Sequence, residues 1–213
     1  MLITVFGAAG DVGSRVVAEA LARGHRVRAI SRDPERLRGL PDRVEPRAGD
    51  ASSPDQVIAA AAGTDLVIGA TRPVPGHEHE HAEVAAALLE GLSGSGIRLL
   101  VVGGAGSLRV AGTGKTLREQ PDFPDHLQPI ATACDQQLAV FRAAQDVSVD
   151  WAYLSPPALL EPGERTGRYR LGTDELLVDA EGNSSISIAD LAVVLLDEAE
   201  RPEHHRTRFT AGY

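Results

Sequence analysis

Gly7, Gly10 and Gly13 stand at regular spacing between a short apolar segment, Leu2 to Phe6, and a run with helical periodicity, Val12, Val16, Val17, Ala20 and Leu21. Glycines so placed let a strand turn sharply at Gly7, let backbone N–H groups approach an anion at Gly10, and let a helix pack closely on the strand at Gly13. The helix N-terminus then offers unpaired N–H groups and its positive dipole end to a pyrophosphate, with Ala9, Asp11 and Val12 completing the turn. Gly24 sits where a left-handed C-terminal residue is expected, and a second strand, Arg26 to Ile30, follows at once. Residues 3–32 therefore predict a strand–helix–strand unit that binds a dinucleotide.

The end of that second strand selects the cofactor. An NAD-preferring site places Asp or Glu there to bind the ribose 2′-hydroxyl. This chain has Ser31 and Arg32, with no acid before Asp33. A hydroxyl and a guanidinium suit a 2′-phosphate, and Arg36 or Arg38 adds charge nearby, so NADP(H) is favoured over NAD(H).

In a sheet of this kind the ligand crevice lies beyond the carboxyl ends of the strands. Those ends read Gly49, Asp50, Ala51, then Gly69, Ala70, Thr71, Arg72, then Gly103 to Ser107, then Ser155, Pro156, Pro157. Asp50 is placed to accept from the adenine amine, and Ala51, Ala70 and Thr71 leave space along the cofactor. Ser107 and Ser155 are the candidate catalytic hydroxyls, set to hydrogen-bond an acceptor or the nicotinamide carboxamide. Arg72 is set to meet a phosphate or carboxylate. Ser107 equally suits a plain turn-capping role.

The segments GAAGDVG at 7–13, SRDPERL at 31–37, GDA at 49–51, GATRP at 69–73, VVGGAGSL at 101–108, WAYLSPP at 151–157 and ISIADLA at 186–192 together resemble the atypical short-chain dehydrogenase/reductase family. The likeness spans nearly the whole chain and is nearest to the NAD(P)H-binding, NmrA-like branch, which includes NADH-flavin reductases and biliverdin reductase B-like proteins. Ordinary members of the larger family use a Ser with a Tyr and a Lys four residues later as a proton-donating apparatus. Ser107 stands at the serine position, but Lys115 is the only lysine and none of Tyr153, Tyr169 and Tyr213 has a Lys four residues on. The resemblance thus implies hydride transfer to an acceptor that solvent can protonate: a flavin, a quinone or a linear tetrapyrrole. The contrasting reading is a non-catalytic redox sensor of the NmrA type; a third is an isomerase or tailoring enzyme on the same scaffold.

Other reactive-looking residues carry less. His77, Glu78, His79, Glu80 and His81 begin a helix, where acids suit the dipole and histidines are solvated; a zinc site would want further ligands, and no metal is expected. Gly112 to Thr116 lacks the glycine that a nucleotide P-loop needs, because position 109 is Arg. That segment reads as a loop at the mouth of the site. Cys134 on an apolar helix reads as a buried small residue.

The elements that position these residues alternate in the manner of a doubly wound parallel sheet, a Rossmann fold of the α/β class. Strands are predicted at 2–6, 26–31, 43–47, 65–70, 97–103 and 149–154, with helices at 11–23, 34–39, 54–62, 79–94 and 129–145. Residues 1–213 fit a single domain, with 156–186, rich in Gly, Glu and Arg, as a small substrate-side or lid insertion. Within it Arg168 to Leu171 and Leu176 to Val178 are predicted to pair as a hairpin. Ser187 and Asp190 form a capping box for an apolar core helix that Pro202 stops, and Arg206 to Ala211 closes the sheet edge.

The 21 basic and 30 acidic residues give a net charge of −9, which argues against nucleic acid or an anionic membrane as partner. Eight aromatics (one Trp, three Tyr, four Phe) are too few for a base-stacking platform. The lone cysteine excludes an intramolecular disulfide. The chain opens on strand residues and no apolar run approaches a membrane span, so a cytoplasmic monomer or small homo-oligomer acting on a planar small molecule is expected.

Overall fold

The structure, a computed structural model, describes residues 1–38, 40–41, 43–144 and 146–213. The predicted alternation is present as β1 (Leu2–Phe6), α1 (Asp11–Ala22), β2 (Arg26–Ser31), β3 (Val44–Ala48), α2 (Pro54–Ala61), β4 (Leu66–Gly69), α3 (Glu80–Leu92), β5 (Arg98–Val102), α4 (Gln128–Ala143) and β6 (Trp151–Ser155). The chain then adds β7 (Leu159–Glu161), β8 (Arg170–Gly172), β9 (Ser185–Ser187), α5 (Ile188–Glu200) and β10 (Thr207–Gly212). The helix predicted over 34–39 is a single 3-10 turn, Pro34–Leu37, with Asp33 as its cap. Its expected end at Gly39, and that of the 129–145 helix at Gln145, lie outside the described residues.

One eight-stranded sheet runs in the order β3-β2-β1-β4-β5-β6-β10-β8. Its strands pair in parallel except at the edge, where β8 is antiparallel to β10. The chain winds from β1 outward to β3 and then returns to place β4 on the other side of β1, so the order reverses between β1 and β4. This α/β, doubly wound arrangement buries both sheet faces. Helices α1 and α5 pack together on one face, over Ile3, Val5, Val27 and Leu154. Helices α2, α3 and α4 cover the other, over Phe6, Ile30, Leu99, Trp151 and Tyr153. The central strands are apolar at successive positions because neither face meets water.

The C-terminal part departs from the expected hairpin. Leu171 pairs with Ala211 of β10, not with 176–178, which is not a strand. Instead Leu176 N–H donates to Arg109 O (2.8 Å), drawing this stretch onto the loop after β5. Strand β10 is consequently interior, between β6 and β8, rather than the sheet edge. The cap of α5 forms by half: Ser187 Oγ accepts from Asp190 N–H (2.9 Å), but Ser187 N–H donates to Tyr213 Oη (3.1 Å). The Asp190 carboxylate is occupied elsewhere. It accepts from Thr166 Oγ1 (2.6 Å), Gly167 N–H (2.8 Å) and Tyr213 Oη (2.7 Å). With Arg165 on Glu19 of α1 (2.7 Å), these contacts fasten the 164–169 stretch across α1 and α5.

Candidate active site

In a doubly wound sheet the ligand crevice forms at the carboxyl ends of the strands where their order reverses, here between β1 and β4, and the glycine turn lies there. Gly7 has φ +77°, and a Cβ there would lie 2.3 Å from Ala70 O. A Cβ on Gly13 would lie 2.1 Å from Gly7 O, so α1 rests directly on the turn. Gly10 N–H donates to Gly7 O (2.9 Å), and Gly10 is the N-cap of α1 with no side chain to satisfy the first turn. The N–H groups of Asp11, Val12 and Gly13 are therefore left for an outside acceptor, an arrangement that fits a pyrophosphate. Ala9, Gly10 and Val12 are partly exposed around it, and the Asp11 side chain points to solvent.

At the end of β2, Ser31 Oγ accepts from Asp33 N–H (3.2 Å) and Arg32 is exposed. Arg32 has a neighbour that the sequence pattern did not reveal. Its Nη1 lies 3.3 Å from Glu80 Oε2, and the other oxygen of Glu80 lies 3.3 Å from His77 Nδ1. Arg38 turns back to Glu35 (2.6 Å).

Asp50 Oδ1 accepts from Ser52 N–H (2.9 Å) and Ser52 Oγ (2.8 Å). Ala51 is buried among Phe6 and Ile30. Ala70 N–H continues the β1 ladder to Phe6 O (3.0 Å), with Thr71 partly exposed and Arg72 exposed beyond it. Behind Arg72, His81 is buried between α3 and α4, its Nε2 3.9 Å from Cys134 Sγ and its Nδ1 without a partner. Burial, then the charge of Arg72, lowers the His81 pKa, and burial pushes the Cys134 thiol up to about 12. Both are neutral at neutral pH, and Cys134 is no thiolate nucleophile. No group of three or more His, Cys, Asp and Glu able to hold a metal occurs among the described residues.

The phenols are all committed elsewhere. Tyr153 fills the space over Gly103, where a Cβ would lie 1.9 Å from its ring, and its hydroxyl meets Cys134 O (3.1 Å) and Gln137 Oε1 (3.0 Å). Burial raises its pKa well above the ordinary value. Tyr169 hydrogen-bonds to Asp197 and Tyr213 to Asp190. Ser107 follows β5 and is partly exposed, and its Oγ accepts from Arg208 Nη1 (2.9 Å). Ser155 is fully buried, its Oγ without a protein partner, in register with Thr210, whose hydroxyl is also unpartnered. Ser107 is thus partly open on the loop after β5, whereas Ser155 is enclosed within the sheet. A separate cavity of about 170 Å³, lined by Leu2, Arg26, Arg43 and Glu45, lies at the amino ends of the strands, away from these groups.

The profile of the NAD(P)H-binding family matches residues 7–202. An uncharacterised Bacillus subtilis (strain 168) protein, YwnB, is 39% identical over 99% of this chain and 97% of its own length. A Burkholderia pseudomallei structure described as a "putative exported protein" is 41% identical, with full coverage of both chains and a TM-score of 0.88. A Streptococcus pneumoniae TIGR4 structure described as a "putative NADH-flavin reductase" is 32% identical over 100% of this chain and 99% of that one, also with a TM-score of 0.88. No helix among the described residues is long and apolar enough to cross a membrane.

Proposed function

The chain belongs to the NAD(P)H-binding family and fits the atypical short-chain dehydrogenase/reductase, NmrA-like branch; on that premise we propose that it is an NADP(H)-dependent reductase passing hydride to a flavin-, quinone- or tetrapyrrole-like acceptor without a Tyr/Lys donor pair. The observation that carries this reading is the turn at the reversal of strand order between β1 and β4. Three glycines bring an uncapped helix N-terminus to it, and no phenol reaches it.

When bound, the dinucleotide supplies a hydride at nicotinamide C4. The first N–H groups of α1 hold its pyrophosphate, Ser31 and Arg32 meet the 2′-phosphate, and Asp50 Oδ2 accepts from the adenine amine. Ala51, Ala70 and Thr71 keep the floor low. Ser107 donates to the acceptor, Arg72 binds its anionic group, and Ser155 lies behind them. Orientation and exclusion of side reactions supply the catalysis, and water protonates the product. Residues 1–213 act as one domain, with 156–186 on the substrate side. The description of the Streptococcus relative supports the acceptor class and mentions NADH; the preference for NADP(H) here rests on Ser31 and Arg32. A cytoplasmic monomer or small homo-oligomer with no nucleic-acid or membrane partner completes the proposal, consistent with the net charge of −9.

The test is absorbance-followed NADPH oxidation by purified protein with FMN, FAD, riboflavin, menadione and biliverdin, beside calorimetric titration of NADPH and NADP⁺. Protein-dependent turnover supports the proposal. Tight dinucleotide binding with no turnover across the panel would assign the chain to a non-catalytic redox sensor instead.

A further inference from the structure

Arg208 lies on β10, far from the glycine turn in sequence and nearly enclosed in the fold, with 5% of its surface exposed. A guanidinium buried to that degree needs a counter-charge and a reason to be there. The counter-charge is Asp174, whose Oδ1 accepts from Arg208 Nε at 2.8 Å and also from Nη2. The remaining Nη1 points at Ser107 Oγ, 2.9 Å away. Although burial works against ionisation, the hydrogen bond and charge of Arg208 hold the Asp174 carboxyl below its ordinary range.

We propose that Arg208, anchored by Asp174, is a positioning residue that fixes Ser107 as a directed hydrogen-bond donor to the carbonyl oxygen of the planar acceptor; this rests on the reductase reading above. A guanidinium has donors only, so Ser107 Oγ is obliged to accept from it. The one proton of the hydroxyl is then directed away from Arg208, and the adjacent positive charge strengthens it as a donor. Negative charge develops on the acceptor's carbonyl oxygen as hydride arrives at its ring. A fixed donor aimed there acts only as that charge grows. The proton that completes reduction comes from water, so Ser107 and Arg208 end each cycle unchanged.

The loop bearing Ser107 is held from two sides, as a preset donor requires. Leu117 N–H donates to Leu108 O (2.8 Å) and Arg118 N–H to Gly106 O (3.0 Å). On the other side Arg109 N–H donates to Asp174 O (2.8 Å) and Leu176 N–H to Arg109 O (2.8 Å). Asp174 thus anchors Arg208 by its side chain and the Ser107 loop by its backbone. This gives the stretch after β8 a role in the site that its sequence does not announce.

The test is a double-mutant cycle on kcat for menadione reduction at saturating NADPH, using Ser107→Ala, Arg208→Gln and the pair, with Arg208→Lys as the conservative variant. Each single change is expected to lower kcat about tenfold to a hundredfold, the double no further than Ser107→Ala alone, with KM for NADPH unchanged. Arg208→Lys restores most of the rate. If a lost melting transition shows that Arg208→Gln does not fold, Asp174→Asn takes its place at a half-exposed position, and the same lack of additivity is expected. Losses that multiply in the double variant, or an equal rise in KM for NADPH, would overturn the assignment while leaving the reductase reading standing. A wild-type protein that binds NADPH yet reduces neither menadione nor any other member of the panel would overturn both.

Discussion

The carbonyl oxygen of Gly7 lies 2.1 Å from where a Cβ on Gly13 would stand, but 3.3 Å from where one on Gly10 would stand. The two glycines therefore do different work. Gly13 is held by packing. Gly10, at φ −84° and ψ 173°, is in backbone any residue adopts and is held by what must approach it.

Gly10→Val is expected to fold with a melting temperature near that of the wild type and to lose binding of NADPH and NADH alike. Gly13→Val is expected to lose the folded state, because backbone rather than a flexible side chain stands in the way. Circular dichroism melts beside calorimetric titration separate the two outcomes; a Gly10→Val protein that binds normally would place the pyrophosphate elsewhere.

Arg32→Ala is expected to weaken NADPH binding by about 1 to 3 kcal/mol with NADH little changed, as loss of a charge-assisted hydrogen bond predicts. Glu80→Gln should act in the opposite direction, since it removes the carboxylate 3.3 Å from Arg32 Nη1. Equal losses for both dinucleotides in Arg32→Ala would remove the 2′-phosphate assignment.

Tyr153→Phe is expected to leave kcat unchanged and to lower stability by about 1 kcal/mol, the net worth of a buried hydroxyl's hydrogen bond. The phenol meets Cys134 O and Gln137 rather than the crevice. A large fall in kcat with an unchanged melting temperature would restore a tyrosine to the chemistry.

Strong acid should loosen the hold of Arg165 on α1. The hydrogen bond from Arg165, opposed by burial and aided by Arg23, lowers the Glu19 carboxyl from 4.5 to about 2. Because the folded pKa lies below the unfolded one, this contribution is fully present above about pH 4.5 and is lost as pH falls through about 2. Urea midpoints measured across that window should fall less steeply in Glu19→Gln, which starts less stable; parallel curves for the two proteins would contradict the link.

The parts of this molecule written in local pattern were legible in the sequence. The span of β1, that of β2 and the turn between Gly7 and Gly13 follow from apolar runs, helical spacing and glycine placement within one strand–helix–strand unit. The mistaken hairpin failed for a physical reason: Arg170 pairs with Gly212, and no short-range signal competes with a partner that distant in the chain. The same holds for side chains. Glu80 meets Arg32 across 48 residues and Arg208 meets Ser107 across 101, contacts made only when separate elements dock. Periodicity reports which face of an element is buried, not which polar tips converge.

The most direct measurement is a single-turnover, anaerobic stopped-flow record of NADPH oxidation by this protein with menadione, run with hydrogen and with deuterium at the transferable nicotinamide C4 position. The account predicts protein-dependent loss of the NADPH absorbance, slower with deuterium and absent in Gly10→Val. Oxidation no faster than in buffer alone, from a protein that binds NADPH tightly, would contradict it.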